Sequence, residues 1–232
     1  MSDKSSIKYI INLSIPIFFA NLAIPLVGIV DTALMGNSGN KSFLAATSVA
    51  TSFFSLIFWS FGFLRMGTVG IVSQSYGKED YKSILNLVFR NLFFVILISF
   101  FLIIFKKQIF SLCLLFFDLS KETERNFKVY FDIRIYSSIF ELTIYIIIGL
   151  FIGLQKTKIS SLTIGCLSIL NILISTLLVI KYDLNIKGVA YGTLLATFVS
   201  SLIFLTYSFH FLKRYTKINL NIKEILNISK IK

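Results

Sequence analysis

Histidine occurs once in this 232-residue chain, cysteine twice, proline twice and tryptophan once. The single His210 closes an apolar run and reads as an interfacial side chain, which leaves little for acid–base chemistry near neutral pH. Cys113 and Cys166 stand apart in apolar surroundings, giving neither a disulfide framework nor a metal-ligand spacing. No Ser/His/Asp or Cys/His set can be assembled, and there is no glycine-rich phosphate loop. The chain therefore does not read as an enzyme, and no cofactor is expected. Charge is scarce as well. Asp, Glu, Lys and Arg make up 15% of the residues, against about 25% in ordinary globular chains.

What fills the space is apolar: 56% of the residues are hydrophobic, 25 are phenylalanine, and the mean hydropathy is +0.82. A soluble domain of this length has no use for so much apolar surface, so the sequence is that of an all-α membrane protein. Spans need roughly 20 apolar residues each. Six stretches qualify, at about 11–35, 43–71, 84–105, 128–153, 159–180 and 187–212. They are long continuous runs without period-two alternation, hence helices and not barrel strands. The first is too long, and lacks the small-residue cleavage site, to be a removable signal peptide.

The net charge of +12 does not point to nucleic acid, because the basic residues cluster in the short connections between apolar runs. More of them fall on the side of the N-terminus than on the other, which places both termini in the cytoplasm. After the sixth run, residues 213–232 read as a basic amphipathic segment on the inner membrane surface.

Polar residues inside the spans are few, and each is a candidate for function. Asp31 follows Pro25 by about a turn and a half in a run that also holds Pro16. Proline removes a backbone donor and crowds the preceding turn, so a kink is expected at Pro25. A carboxylate beside a hinge can couple an ion to a conformational change; an aspartate reaching the headgroups from the helix end is the alternative. Arg65 is expected near the cytoplasmic interface, snorkelling. Arg134 and Glu141 share one face of span four, roughly 10 Å apart along the axis. That is too far for a direct pair on a regular helix, which leaves Glu141 to another partner or a proton. Asn171 and Ser175 lie one turn apart in span five. Thr193 follows the small residues Gly188–Gly192, which permit close helix approach. On the expected topology Asp31, Arg134, Glu141, Ser175 and Thr193 all fall in the outer half of the membrane, as the lining of a polar cavity.

Several stretches resemble the multidrug and toxic compound extrusion (MATE) transporters, in particular their DinF-like branch. They are Val30–Gly36 (VDTALMG), Phe61–Gly77 (FGFLRMGTVGIVSQSYG), Tyr130–Ile135 (YFDIRI), Gly149–Lys158 (GLFIGLQKTK), and Asn171 with the Gly188 stretch. The resemblance runs through nearly the whole chain in order. It implies two six-helix lobes, of which 1–212 would be the N-lobe, and antiport of small organic, often cationic, compounds against H⁺ or Na⁺ in a bacterial inner membrane. It also implies a cation site, possible for Na⁺, at Asp31, Asn171 and Thr193. Ser175 stands where the family has a second aspartate, and Glu141 is an acid where a small apolar residue is expected, so Glu141 is a candidate to replace the missing charge. Ion binding at Asp31 would then alter the bend at Pro25 and displace the substrate.

One lobe alone should not complete alternating access. The chain is thus expected to be a truncated product, a fragmentary gene, or a half-transporter that pairs with itself or with a second half. A non-transporting membrane fragment or assembly subunit, and a lipid-linked oligosaccharide flippase of the same superfamily, are the alternatives.

Overall fold

The computed structural model describes residues 3–215; in the first helix the side chains of 3–10, 12, 13, 17, 19–21 and 24 are outside the description. The expected amphipathic segment after span six lies almost entirely outside the described residues. Among the described residues every regular element is helical. These are α1 (Asp3–Gly36), α2 (Lys41–Ser60), α3 (Gly62–Gly77), α4 (Tyr81–Ile104), α5 (Lys106–Leu114), α6 (Lys121–Arg134), α7 (Ser138–Gly153), α8 (Thr157–Thr176) and α9 (Asn185–Lys213). Five stretches are long and apolar enough to cross a membrane: Lys41–Gly77, Tyr81–Ile104, Lys121–Gly153, Thr157–Lys181 and Asn185–Lys213. Pro25–Gly36, within the 34-residue α1, is a shorter apolar helix. The protein is an integral membrane protein.

The breaks come where local chemistry supplies them. The α1–α2 turn passes through Gly39 at φ +73°, a left-handed conformation that glycine adopts without a Cβ penalty. Asn40 then caps α2 by accepting from the Ser42 N–H at 2.8 Å. The same turn is tied to α6: Asn40 Nδ2 and Ser42 Oγ donate to Glu122 Oε1 at 3.1 and 2.9 Å, and Asn126 Nδ2 donates to Ser42 Oγ at 2.7 Å. Ser120 caps α6, accepting from the Thr123 N–H.

Asp80 caps α4, accepting from the Ser83 hydroxyl at 2.6 Å and the Ser83 N–H at 3.0 Å. Those bonds hold its carboxyl below the usual aspartate range. Asp80→Ala should therefore cost about 1 kcal/mol at neutral pH. A carboxyl whose folded value is depressed stabilises above its unfolded value and loses that contribution as pH falls through the folded one. Thermal unfolding in detergent is expected to separate wild type and variant at pH 7 and to bring them together in acid.

Two expectations from the apolar runs are corrected. Span two is two helices, α2 and α3, meeting at Phe61 (φ −91°, ψ 11°). Span four begins seven residues early and is interrupted by a 3₁₀ turn at Ile135–Ser137 between α6 and α7. The connection between spans three and four carries α5. At the prolines, α1 runs on as one helix across both Pro16 and Pro25, so neither ends it. Pro25 lies on the exposed side while Asp31, roughly 240° further around at 100° per residue, is buried.

Packing divides into two regions. α1, α8, α9, α6 and α2 form a closed cycle of neighbours, each touching the next and α2 returning to α1. Its aromatic centre is Phe54, Phe127 and Phe131, with Phe54 and Phe131 rings 5.4 Å apart. On the other side of the breaks, α3, α4 and α7 pack around Val72, Ile84, Val88 and Phe151. Two pairs of glycines four residues apart set the closest approaches. A Cβ on Gly149 or Gly153 of α7 would fall 2.8 Å from the Arg65 carbonyl oxygen or 2.7 Å from Val72 Cβ of α3. A Cβ on Gly188 or Gly192 of α9 would meet Val179 and Ser175. This is the small-residue mode of helix association available inside a membrane.

Candidate functional site

Within the five-helix cycle, Asp31 is the buried carboxylate. It is 5% exposed, and its Oδ1 has no hydrogen-bond partner among the described residues. The cation within electrostatic reach of it is Arg134 of α6. One turn before Arg134 on the same face, the buried Tyr130 brings its phenol to both Asp31 and Arg134, and within reach of the hydroxyls of Thr51 on α2 and Thr193 on α9. Thr193 is buried and donates to the Val189 carbonyl at 3.1 Å. Thr47, one turn before Thr51 on α2, is buried, and its Oγ1 has no hydrogen-bond partner among the described residues. Three helices, α2, α6 and α9, thus contribute hydroxyls and one guanidinium to the region of Asp31 on α1, one of whose carboxylate oxygens has no partner among the described residues.

Arg134 is fixed on several sides. Nη1 donates to Ser137 Oγ, Nη2 lies 3.2 Å from Glu141 Oε2, and the guanidinium carbon sits 5.5 Å and 5.1 Å from the ring centres of Phe54 and Phe58. The ion pair overturns the expectation that seven residues of separation keep Arg134 and Glu141 apart. The 3₁₀ turn interrupts the regular helix between them, helical side chains lean toward the N-terminus so that Glu141 reaches back, and arginine is long enough to close the rest. Glu141 also influences Tyr145, whose ring carries Arg65 at 5.9 Å from its centre. Arg65 is thereby placed beside α7, through its side chain over Tyr145 and its carbonyl against Gly149.

Asn171 and Ser175 are buried on α8, and Ser175 Oγ donates to Asn171 Oδ1 at 3.4 Å. No hydrogen bond among the described residues joins either of them to Asp31 or to Glu141. Ser175 is instead pressed under Gly192, where an added Cβ would lie 2.7 Å from the Ser175 Cα. The structure therefore joins Asp31, Arg134 and Glu141 through direct or electrostatic contacts and brings Thr193 to them by way of Tyr130, with Asn171 and Ser175 as a separate bonded pair on the neighbouring helix. The residues that sequence reasoning passed over are Tyr130, Thr51 and the Phe54–Phe58 platform. Tyr130 was open to it, since it precedes Arg134 by four residues on one helix face.

Comparison with known proteins bears on the family and the fold. The MatE family model matches residues 16–177. DNA damage-inducible protein F of Escherichia coli K12 is 27% identical over 199 residues, covering 86% of this chain and 43% of that protein. Multidrug export protein MepA of Staphylococcus saprophyticus is 24% identical over 210 residues, 88% of this chain and 46% of that protein. The chain thus spans less than half the length of these relatives. Among solved structures, a MOP superfamily transporter from Pyrococcus furiosus superposes with a TM-score of 0.82 at 20% identity. The outward-facing conformation of a multidrug resistance MATE family transporter gives the same values; each match covers 95% of this chain and 48% of the other. With a family model matched over most of its length and the same helical fold in these structures, this chain belongs to the MatE family.

Proposed function

We propose that the chain is the N-terminal six-helix half of a secondary transporter, with residues 1–212 as one transmembrane lobe and 213–232 as a basic segment on the cytoplasmic surface. It works in a bacterial plasma membrane with both ends inside, together with a second half or a second copy. It exports small organic, mainly cationic, compounds in exchange for H⁺ or Na⁺. The observation that carries this reading is Asp31: a carboxylate 5% exposed, with one oxygen unpartnered among the described residues, in an apolar helix.

Burying an unpaired carboxylate is unfavourable, and the cost falls when it takes up a proton or a cation. The surrounding hydroxyls of Thr51, Tyr130 and Thr193 are hard oxygen donors suited to a small cation. The Ser175 hydroxyl supplies an oxygen without charge, which leaves Asp31 as the main anionic ligand. A ligand shifts a conformational equilibrium only through different affinities for the two states. Uptake at Asp31 in one state and release in the other meets that requirement. The relatives' names, a multidrug export protein among them, support the substrate class.

The test is transport by the full-length gene product in proteoliposomes loaded with a fluorescent organic cation. An imposed H⁺ or Na⁺ gradient should drive efflux, and Asp31→Asn should fold normally yet lose the gradient dependence. Gradient-driven efflux that persists in Asp31→Asn would remove Asp31 from the mechanism.

A further inference from the structure

One guanidinium faces two carboxylates in this site. Arg134 bonds Glu141 directly at 3.2 Å and acts on Asp31 only through space. We infer that Glu141 is a positioning residue: by holding Arg134 it keeps the guanidinium from closing an ion pair with Asp31, and so leaves the Asp31 carboxylate free for the coupling ion. The inference rests on the reading of Asp31 given above and adds the residue that makes Asp31 available.

The alternatives open to Arg134 are few. Asp132, two residues earlier, is taken by Lys106 at 3.5 Å and Lys128 at 3.2 Å. The other helices against α1, namely α2, α8 and α9, carry their charged residues only at or near their ends. The remaining titratable groups near the two carboxylates are the phenols of Tyr130 and Tyr145, with Arg65 beyond Tyr145. Without Glu141, the carboxylate left for Arg134 is therefore Asp31. Arginine forms bidentate pairs with carboxylates readily, and a desolvated pair of that kind is hard to open. An Asp31 so paired would stay ionised and would no longer exchange its cation. The tethers of Arg134 fit the role. Ser137 and the Phe54 and Phe58 faces hold the guanidinium on the α2–α6 side, while Glu141 draws it along the helix.

The probe is dicyclohexylcarbodiimide, an apolar reagent that modifies protonated carboxyls inside membranes, applied to the purified full-length protein in nanodiscs. Peptide mass mapping separates Asp31 in α1 from Glu141 in α7. Wild type is expected to label at Asp31. Glu141→Gln should lower that labelling by roughly tenfold, the effect of one opposite charge brought into contact. Glu141→Gln combined with Arg134→Gln should restore it, which a merely structural loss at Glu141 would not allow. Should Glu141→Gln not fold, Arg134→Gln alone is expected to label Asp31 at or above the wild-type level, and weaker labelling there overturns the inference. Wild-type labelling that Glu141→Gln leaves unchanged overturns this inference and spares the role of Asp31. Absence of Asp31 labelling in the wild type, from mildly acidic to mildly alkaline solution, removes both.

Discussion

Replacing Arg134 by alanine is expected to destabilise the protein by about 3–5 kcal/mol, the range for removing one partner of a buried ion pair. The side chain is 9% exposed and Glu141 is 19% exposed, so the orphaned carboxylate has little water to turn to. The truncation also strips the cationic partner from two phenylalanine faces. Much of the loss comes from leaving Glu141 unpaired, and that part is separable. Arg134→Met together with Glu141→Leu removes both charges while keeping volume, and should recover most of the stability. Thermal unfolding in detergent micelles at neutral pH reads both variants. A single variant as stable as wild type would mean that the pair is not formed in the membrane.

Gly192→Ala should cost about 1–3 kcal/mol, as overpacking of a tight contact does. Its new methyl would lie 2.7 Å from the Ser175 Cα and 2.8 Å from the Ser175 nitrogen, backbone atoms that no rotamer change moves. Gly165→Ala, in α8, is the internal control. No heavy atom lies within 4 Å of its added Cβ, so it should gain roughly 0.5–1 kcal/mol from helix propensity alone. The same contact explains why serine suits position 175. A carboxylate there would sit at the point where α8 and α9 touch, and Ser175→Asp should lose stability along with Gly192→Ala. Melting temperatures of the three variants, measured side by side, decide the matter. Equal values for Gly192→Ala and Gly165→Ala would rule out the close approach of α8 and α9.

Much of the membrane character was legible in the chain because it depends on composition summed over long windows. A run of 20 or more apolar residues has one stable solution in a bilayer, a helix that satisfies its own backbone. Asp31 stood out for the same reason, as a lone carboxylate in such a run. The breaks inside spans were not legible. Phe61 lies in a stretch as apolar as its flanks, and Ile135–Ser137 has no proline or paired glycines. Where a helix yields there depends on what packs against it, in this fold the α3–α7 contact at Gly149 and Gly153 and the anchoring of Arg134 by Ser137. The Arg134–Glu141 pair is out of reach on a regular helix and forms here because the 3₁₀ turn intervenes, a distortion that the segment does not announce.

By itself, then, the sequence determined that this is a helical membrane protein and which few polar residues sit in its apolar runs. Those properties are local, and each follows from the transfer free energy of a short segment. The tertiary structure alone decided which of the polar residues meet. It set Arg134 between two carboxylates, brought Tyr130 and Thr193 toward Asp31, and placed Ser175 under Gly192. Most of these meetings join residues on different helices, and that of Arg134 with Asp31 spans more than a hundred positions. They are fixed by how small residues let particular helices approach, a pairwise fit that no single segment encodes.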